Sequence, residues 1–343
     1  MNFKAYLNTI SSTAHALPIV ILYITEGCNL KCITCSYRDA IPGELTFEEI
    51  KKLAADLNSL GLRHIVYSGG EPLLRRDFTD ICDTFASLGV KQSILTNGLL
   101  LEKRVRDIYK YFCEIIVSID GADAATHNRI RGLNSFDQIL KGIQTAVSLP
   151  NRGQISIRSV VQKSNFRQIK EIVKLAKSLG VNRVSFLSAD VASDAFGRDT
   201  RGAVSGTESI LLDENEVKEF KEIVTGMFTE FAEDFSSGFI SESPAKVLRL
   251  VDYFEACLGK SGYPVNTCNA PNVSAVITST GDVHPCYFLP SYGNIRKTSL
   301  RELINSASIK DTRVKVKNYE LERCKTCVCT LKVTSKSALY DKF

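Results

Sequence analysis

The sequence predicts an α/β protein, a partial (β/α)6 barrel followed by a β-hairpin and short-helix domain that carries cysteines. Three observations lead there. Short apolar runs rich in branched residues alternate with amphipathic stretches six times between residues 19 and 187, the pattern of parallel strands joined by helices. Six such units, with right-handed crossovers, suit a barrel open on one side. After Tyr263 the alternation stops, and two short strands around a Thr-Gly-Asp turn precede a cysteine-rich tail.

The first unit opens with IVILYIT at residues 19–25, a buried parallel strand that runs straight into a cysteine-rich loop. The following TFEEIKKLAADLNSLG is a helix. Thr46 and Glu49 have capping-box spacing, Phe47, Ile50, Leu53, Leu57 and Leu60 recur at helical period, and Gly61 supplies the stop. Further strands are expected near 64–67, 90–95, 115–119, 155–161 and 181–187, with helices near 77–88, 101–111, 135–148 and 165–179. Residues 188–210 have no period and read as a long loop, either a lid whose Arg198 and Arg201 meet an anionic substrate or a solvated connection. Two helices near 213–235 and 243–256 follow, then strands within NVSAVITSTGDVHPCY (272–287) and a helix near 298–307. The expected domains are a barrel at 17–210, linking helices at 211–260 and a C-terminal domain at 261–343.

The chain of 343 residues is 44% hydrophobic and 24% charged, ordinary for a soluble globular protein. Its apolar stretch at Leu17–Ile24 suits a strand better than a signal sequence, and no run approaches the roughly 20 residues of a membrane span. A cytoplasmic protein without an anchor is expected. The net charge of +5 is spread among acidic neighbours, so nucleic acid is not indicated as a partner. Eleven cysteines in a reducing compartment point to metal binding or catalysis where they cluster.

Cys28, Cys32 and Cys35 lie in CNLKCITC, directly after the first strand. Three thiolates on one loop can hold three irons of a cubane and leave the fourth open, whereas zinc would need a further ligand from a distance. The spacing resembles that of the radical S-adenosylmethionine (SAM) superfamily, over residues 17 to 190. The resemblance implies a [4Fe-4S] cluster whose open iron chelates the amino and carboxylate groups of SAM. It also implies reductive cleavage to methionine and a 5′-deoxyadenosyl radical. Many members carry an aromatic residue where this chain has Thr34, a mild departure.

Ser68-Gly69-Gly70-Glu71-Pro72 at the end of strand two resembles the family's GGEP motif for the SAM amino group. Glycines there let backbone acceptors approach closely, and Glu71 would offer negative charge to an ammonium. By the same resemblance Thr96-Asn97-Gly98 and Ser118-Ile119-Asp120-Gly121 approach SAM or substrate, with Asp120 accepting from a ribose. Arg158 would pair with the SAM carboxylate or form a rim salt bridge. His127 and Arg131, in HNRIRG, would face substrate or solvent.

Cys268 and Cys286 frame the hairpin, with Gly281 five positions before Cys286, and the tail adds Cys324, Cys327 and Cys329 in CKTCVC. Thiolates from two segments make a closed site for a structural metal, zinc ribbon included, or an electron-transfer cluster. The pattern resembles the C-terminal SPASM or shortened twitch extensions of the superfamily. That implies one auxiliary [4Fe-4S] cluster on Cys268, Cys286, Cys324 and Cys327, because a full SPASM domain holds two and needs more cysteines. Cys329 and Cys257 remain as hydrogen donors or replacement ligands, and Cys82 and Cys113 are expected in the core.

The function expected is hydrogen abstraction from a sugar, nucleoside or aminoglycoside-like small molecule, with the auxiliary cluster assisting oxidation or binding and a flavodoxin or ferredoxin-type electron donor. Fewer than 20 residues precede strand one, too few for the leader-binding domain frequent in peptide-modifying relatives. The alternatives are a maturase of a ribosomally made peptide, forming a thioether, crosslink or epimer, and, from another class, a non-catalytic metal-binding scaffold.

Overall fold

The computed structural model describes residues 2–191, 193, 195–198 and 209–340, which leaves the expected role of Arg201 outside the described residues. A short helix α1 (Phe3–Asn8) leads into six strand-helix units. These are β1 (Ile19–Thr25), α2 (Phe47–Ser59), β2 (His64–Gly69), α3 (Phe78–Ser87), β3 (Lys91–Thr96), α4 (Leu101–Ile108), β4 (Phe112–Ser118), α5 (Ala124–Arg131), α6 (Phe136–Ser148), β5 (Gln154–Val161), α7 (Ile169–Ser178) and β6 (Arg183–Ser188). Helix α2 begins as expected, with Thr46 and Glu49 exchanging the reciprocal hydrogen bonds of a capping box.

The six strands lie in chain order, each parallel to the next, and the sheet stays open. The side where a barrel would close is covered by residues 239–242. Amide Val184 donates to the Phe239 carbonyl at 2.8 Å, and amide Phe186 donates to Glu242 Oε2 at 3.1 Å. This satisfies an edge that would otherwise invite another strand.

Helices α8 (Glu214–Glu230), α9 (Ala232–Ser236) and α10 (Pro244–Cys257) connect the barrel to α11 (Ala270–Val273), β7 (Ser274–Ile277), β8 (Asp282–His284) and β9 (Gly293–Asn294). The tail then forms α12 (Leu300–Leu303), α13 (Ala307–Lys317), α14 (Glu322–Lys325) and α15 (Ser335–Leu339). Among the described residues no helix is long and apolar enough to cross a membrane.

The C-terminal hairpin also extends the barrel sheet. Strand β7 pairs parallel with β1 in the register Ile19–Ser274 to Leu22–Ile277, giving nine strands in the order β6-β5-β4-β3-β2-β1-β7-β8-β9. The reason lies in burial. All seven residues of β1 and all four of β7 are buried, so both edges of β1 need hydrogen-bonding partners away from water. The apolar core runs without a break from α2–α7 through the sheet to Val283, Leu300 and Leu303.

Candidate active site and auxiliary cysteine cavity

Strand β1 delivers the chain to a loop held from several directions. The Glu44 carboxylate accepts from Thr25 Oγ1 at 3.1 Å and from amide Glu26 at 2.8 Å, fixing the exit of the strand. Farther along, amide Cys28 donates to the Arg38 carbonyl at 2.5 Å and amide Ser36 to the Phe196 carbonyl at 2.9 Å. Cys32 is buried, and Cys28 and Cys35 are half-buried. The three thiols lie close enough to disfavour one another's ionisation, and burial first, then Cys32, pushes the Cys35 thiol up to about 12. Three soft sulfur donors on one loop suit a thiophilic metal, which would supply the positive charge that keeps them deprotonated.

The Ser68–Pro72 turn is packed against that exit. Amide Gly70 donates to the Thr25 carbonyl at 2.8 Å and amide Glu71 to the Gly27 carbonyl at 2.7 Å. A Cβ on Gly70 would sit 2.2 Å from the Gly27 oxygen and 2.6 Å from that of Glu26, so backbone packing alone demands glycine. The Glu71 side chain is fully buried and turned inward, accepting from amide Leu73 (3.0 Å), Thr96 Oγ1 (2.8 Å) and amide Asn97 (2.7 Å). The carboxylate builds the turn.

Burial raises the Glu71 carboxyl from 4.5 to about 7, against the hydrogen bonds that lower it. An acid with a higher pKa when folded binds protons more tightly in that state, so stability declines as pH rises from about 4.5 to about 7 and is level above. The decline attributable to this group is about 3 kcal/mol. In Glu71→Gln that part of the pH dependence is expected to vanish, while stability falls by about 1–3 kcal/mol because an amide donor replaces one acceptor. Denaturant unfolding of both proteins between pH 4.5 and 7.5 checks this; identical pH slopes would refute it.

The other barrel-end residues divide into two groups. Asn97 reaches the cysteine loop, donating to Asn29 Oδ1 at 2.8 Å with Cys28 Sγ at 3.8 Å. Ser118, half-buried at the end of β4, lies beside Arg158 in register, and Arg158 Nε donates to Ser185 Oγ at 3.1 Å. By contrast Asp120, expected to meet a ribose, is 2% exposed, bound to Arg131 at 2.7 Å and accepting from amide Val160 at 2.7 Å. His127 is likewise buried, its Nδ1 accepting from amide Asp120, and burial together with Arg131 holds it down at about 3. Arg198 is tied to Asp190 at 3.2 Å and to the Ser193 carbonyl.

Cys268, Cys286, Cys324, Cys327 and Cys329 all line one mostly apolar cavity of about 100 Å³, roofed by Phe288 and Leu331. Burial pushes the Cys286 thiol up to about 12 and raises the other shifted thiols as well. The five thiols share this one space and form an all-sulfur donor set. That arrangement suits a multi-iron group. Cys257 stands apart, against the Tyr263 hydroxyl at 3.7 Å. Cys82 is buried as expected, whereas Cys113 is exposed at the start of β4, beside a register shift that turns it out of the core.

An aromatic bridge that the sequence reading missed joins the two cysteine regions. The Tyr23 ring, on β1, meets Tyr37 of the first loop at 6.2 Å and Tyr287, the neighbour of Cys286, at 5.9 Å. Tyr287 also lies near Ser68, Arg158 and Cys329. Its position directly after a hairpin cysteine was the only signal available.

Comparison with known proteins agrees with both regions. Residues 22–176 match the Radical SAM superfamily, and residues 268–328 match SPASM, an iron-sulfur cluster-binding domain. An AdoMet-dependent heme synthase of Methanosarcina barkeri is 30% identical over 83% of this chain and 81% of its own length. A pre-heme d1 synthase of Dinoroseobacter shibae is 31% identical over 83% and 72%, and the mycofactocin maturase MftC of Mycobacterium tuberculosis 28% over 79% and 65%. The fold is shared with anSMEcpe bound to AdoMet and a Cp18Cys peptide (TM-score 0.65, 20% identity, 91% and 89% covered). It is shared also with Streptococcus suis SuiB bound to precursor peptide SuiA (TM-score 0.64, 18% identity, 93% and 72% covered). The open parallel barrel, the cysteine loop at the end of its first strand and the matched cysteine cavity make this chain an enzyme of the radical SAM superfamily with a SPASM domain, whose cofactors are SAM and iron–sulfur clusters.

Proposed function

We propose that this enzyme is a peptide maturase in which Cys28, Cys32 and Cys35 hold the SAM-cleaving cluster. In this reading Cys268, Cys286, Cys324 and Cys327 hold one auxiliary cluster. The cluster, when bound, supplies the electron that splits SAM into methionine and the 5′-deoxyadenosyl radical that takes a substrate hydrogen. This chain's residues do the positioning. The backbone of Ser68, Gly69 and Gly70, with Thr96, Asn97 and Ser118, borders the SAM site. Arg158, whose Nε donates to Ser185 Oγ at the barrel end, suits the SAM carboxylate.

The observation that carries the reading is the aromatic bridge. Tyr23 touches Tyr287 and lies near both Cys35 and Cys286, so the two cysteine regions are neighbours, and an auxiliary cluster held by the second would supply an electron acceptor for the substrate. Cys329, fifth in the cavity and next to Arg158, is left as a hydrogen donor or replacement ligand, and Cys257, away from the cavity, is the weaker candidate. A flavodoxin or ferredoxin-type protein fits as reductant.

The likeness to a named maturase over 79% of the chain favours a peptide over the sugar, nucleoside or aminoglycoside anticipated from sequence. A second reading, a tetrapyrrole substrate, is supported by the heme and pre-heme d1 synthases, each matched over 83% of the chain. Anaerobically reconstituted protein, given SAM, dithionite and deuterated candidate substrates, separates them. Deuterium in 5′-deoxyadenosine from a peptide supports the first, deuterium from an iron porphyrin the second, and no 5′-deoxyadenosine under any condition overturns both.

A further inference from the structure

The HNRIRG segment has no part in the chemistry described so far, yet it is built into the first cysteine loop. Helix α5 starts on an Asp123 cap, amide Thr126 donating to Asp123 Oδ1 at 2.8 Å, and ends at Gly132 with φ +71°. Its last carbonyls do not go to water. Amide Lys31 donates to the Arg131 carbonyl at 3.2 Å and amide Ile33 to the Ile130 carbonyl at 3.0 Å, so the two residues flanking Cys32 hang from the end of the helix. A Cβ on Gly132 would lie 2.3 Å from the Lys31 oxygen, which shows how closely helix and loop are pressed together.

The Arg131 side chain then folds back over the loop. Nη2 lies 2.7 Å from Asp120 Oδ2, and Nη1 lies 3.9 Å from Cys32 Sγ. The Arg131 side chain is 13% exposed and that of Asp120 3%. Asp120 is itself anchored by amide Val160, which leaves the guanidinium little freedom to move away. Arginine stays protonated throughout the working pH range, so a fixed positive charge stands beside one of the three thiols. In so dry a setting its field is weakly screened.

We propose that Arg131 is a positioning residue that raises the reduction potential of the N-terminal cluster through Cys32. The proposal rests on the assignment of Cys32 as a cluster ligand. Reduction adds one negative charge to the cluster, and a cationic N–H directed at a ligating sulfur stabilises the more negative state. Asp120 opposes this effect, but it engages Nη2 whereas Nη1 is the atom directed at Cys32 Sγ, and a charge acts most strongly on the group it touches. The pair therefore makes the electron-accepting step easier, while the end of α5 keeps the loop in register with the charge.

EPR-monitored redox titration of the reconstituted holoenzyme tests this. Arg131→Gln combined with Asp120→Asn removes both charges without stranding either. It is expected to move the midpoint of the N-terminal cluster to more negative potential and to leave the auxiliary midpoint in place. An unchanged N-terminal midpoint overturns the proposal. Wild-type protein labelled with 15N in the arginine guanidinium gives a reading independent of any variant's folding. Pulsed EPR of the reduced, SAM-responsive cluster should show a 15N coupling that disappears in Arg131→Lys, and absence of the coupling in the wild type likewise overturns it. Should Cys32→Ala retain the SAM-responsive signal, the ligand assignment would fall instead, a result distinct from either of these.

Discussion

Replacing Cys28, Cys32 and Cys35 together by alanine is expected to abolish 5′-deoxyadenosine formation while leaving roughly half of the bound iron, one cubane of two. The expectation follows from the separateness of the donor sets. The first three thiols sit on a loop held by Glu44, Arg38, α5 and the Phe196 carbonyl, and the other five line a cavity formed from the hairpin and the tail. Neither set borrows its backbone hydrogen bonds from a thiol of the other. All three must change at once, since a single loss can be made good by solvent or by an added thiol. Iron analysis and product assay on the same preparation give the answer. Cleavage at the wild-type rate, or complete loss of iron, would show that the two sites are wrongly partitioned.

Asp190→Ala is expected to be the most damaging single change to stability outside the cysteines. The Asp190 side chain is 1% exposed and neutralises two arginines, Arg198 at 3.2 Å and Arg323 at 2.5 Å. Arg198 covers the Phe196 ring and Arg323 that of Phe288, and those two rings meet edge to face at 6.3 Å. Removing the carboxylate strands two largely buried cations, at a cost of about 3–5 kcal/mol. For a chain of this size the melting temperature should drop by about 4–7 °C. Arg323 adjoins Cys324, so iron should leave the auxiliary site sooner on mild heating than iron in the first loop. A melting curve matching the wild type would show that the triad contributes nothing.

What could be read from the residues was what local periodicity and spacing encode. Strand β1 has the expected limits, helix α2 its expected cap, and the Thr-Gly-Asp turn does join two antiparallel strands. The gaps have physical causes. Helices α1, α5 and α13 went unrecognised because each carries too few apolar residues at regular spacing to stand out, and α5 is organised by its caps. Strand β9 has only two residues. The parallel pairing of β7 with β1 joins segments some 250 positions apart, beyond any windowed pattern.

At the site, residue types identified the chemistry but not which side chains turn inward. Glu71, Asp120, His127 and Arg198 are polar and appear beside strand ends, as ligand-binding groups do, yet each is buried and bonded within the protein, Glu71 to Asn97, Asp120 to Arg131, His127 to amide Asp120 and Arg198 to Asp190. Cys113 shows the reverse, an apolar-looking strand position that a register shift leaves in solvent.

The position of β1 between β2 and β7 bears on how the protein matures. Its second neighbour lies near residue 275, so a nascent chain still short of that point has the loop-bearing strand bare along one side. Closure over so long a stretch is entropically slow, and the ribosome will have released most of the barrel before it can happen. Metal insertion at the amino-terminal loop is therefore expected to await synthesis of nearly the whole polypeptide, with the sheet completed before the iron arrives.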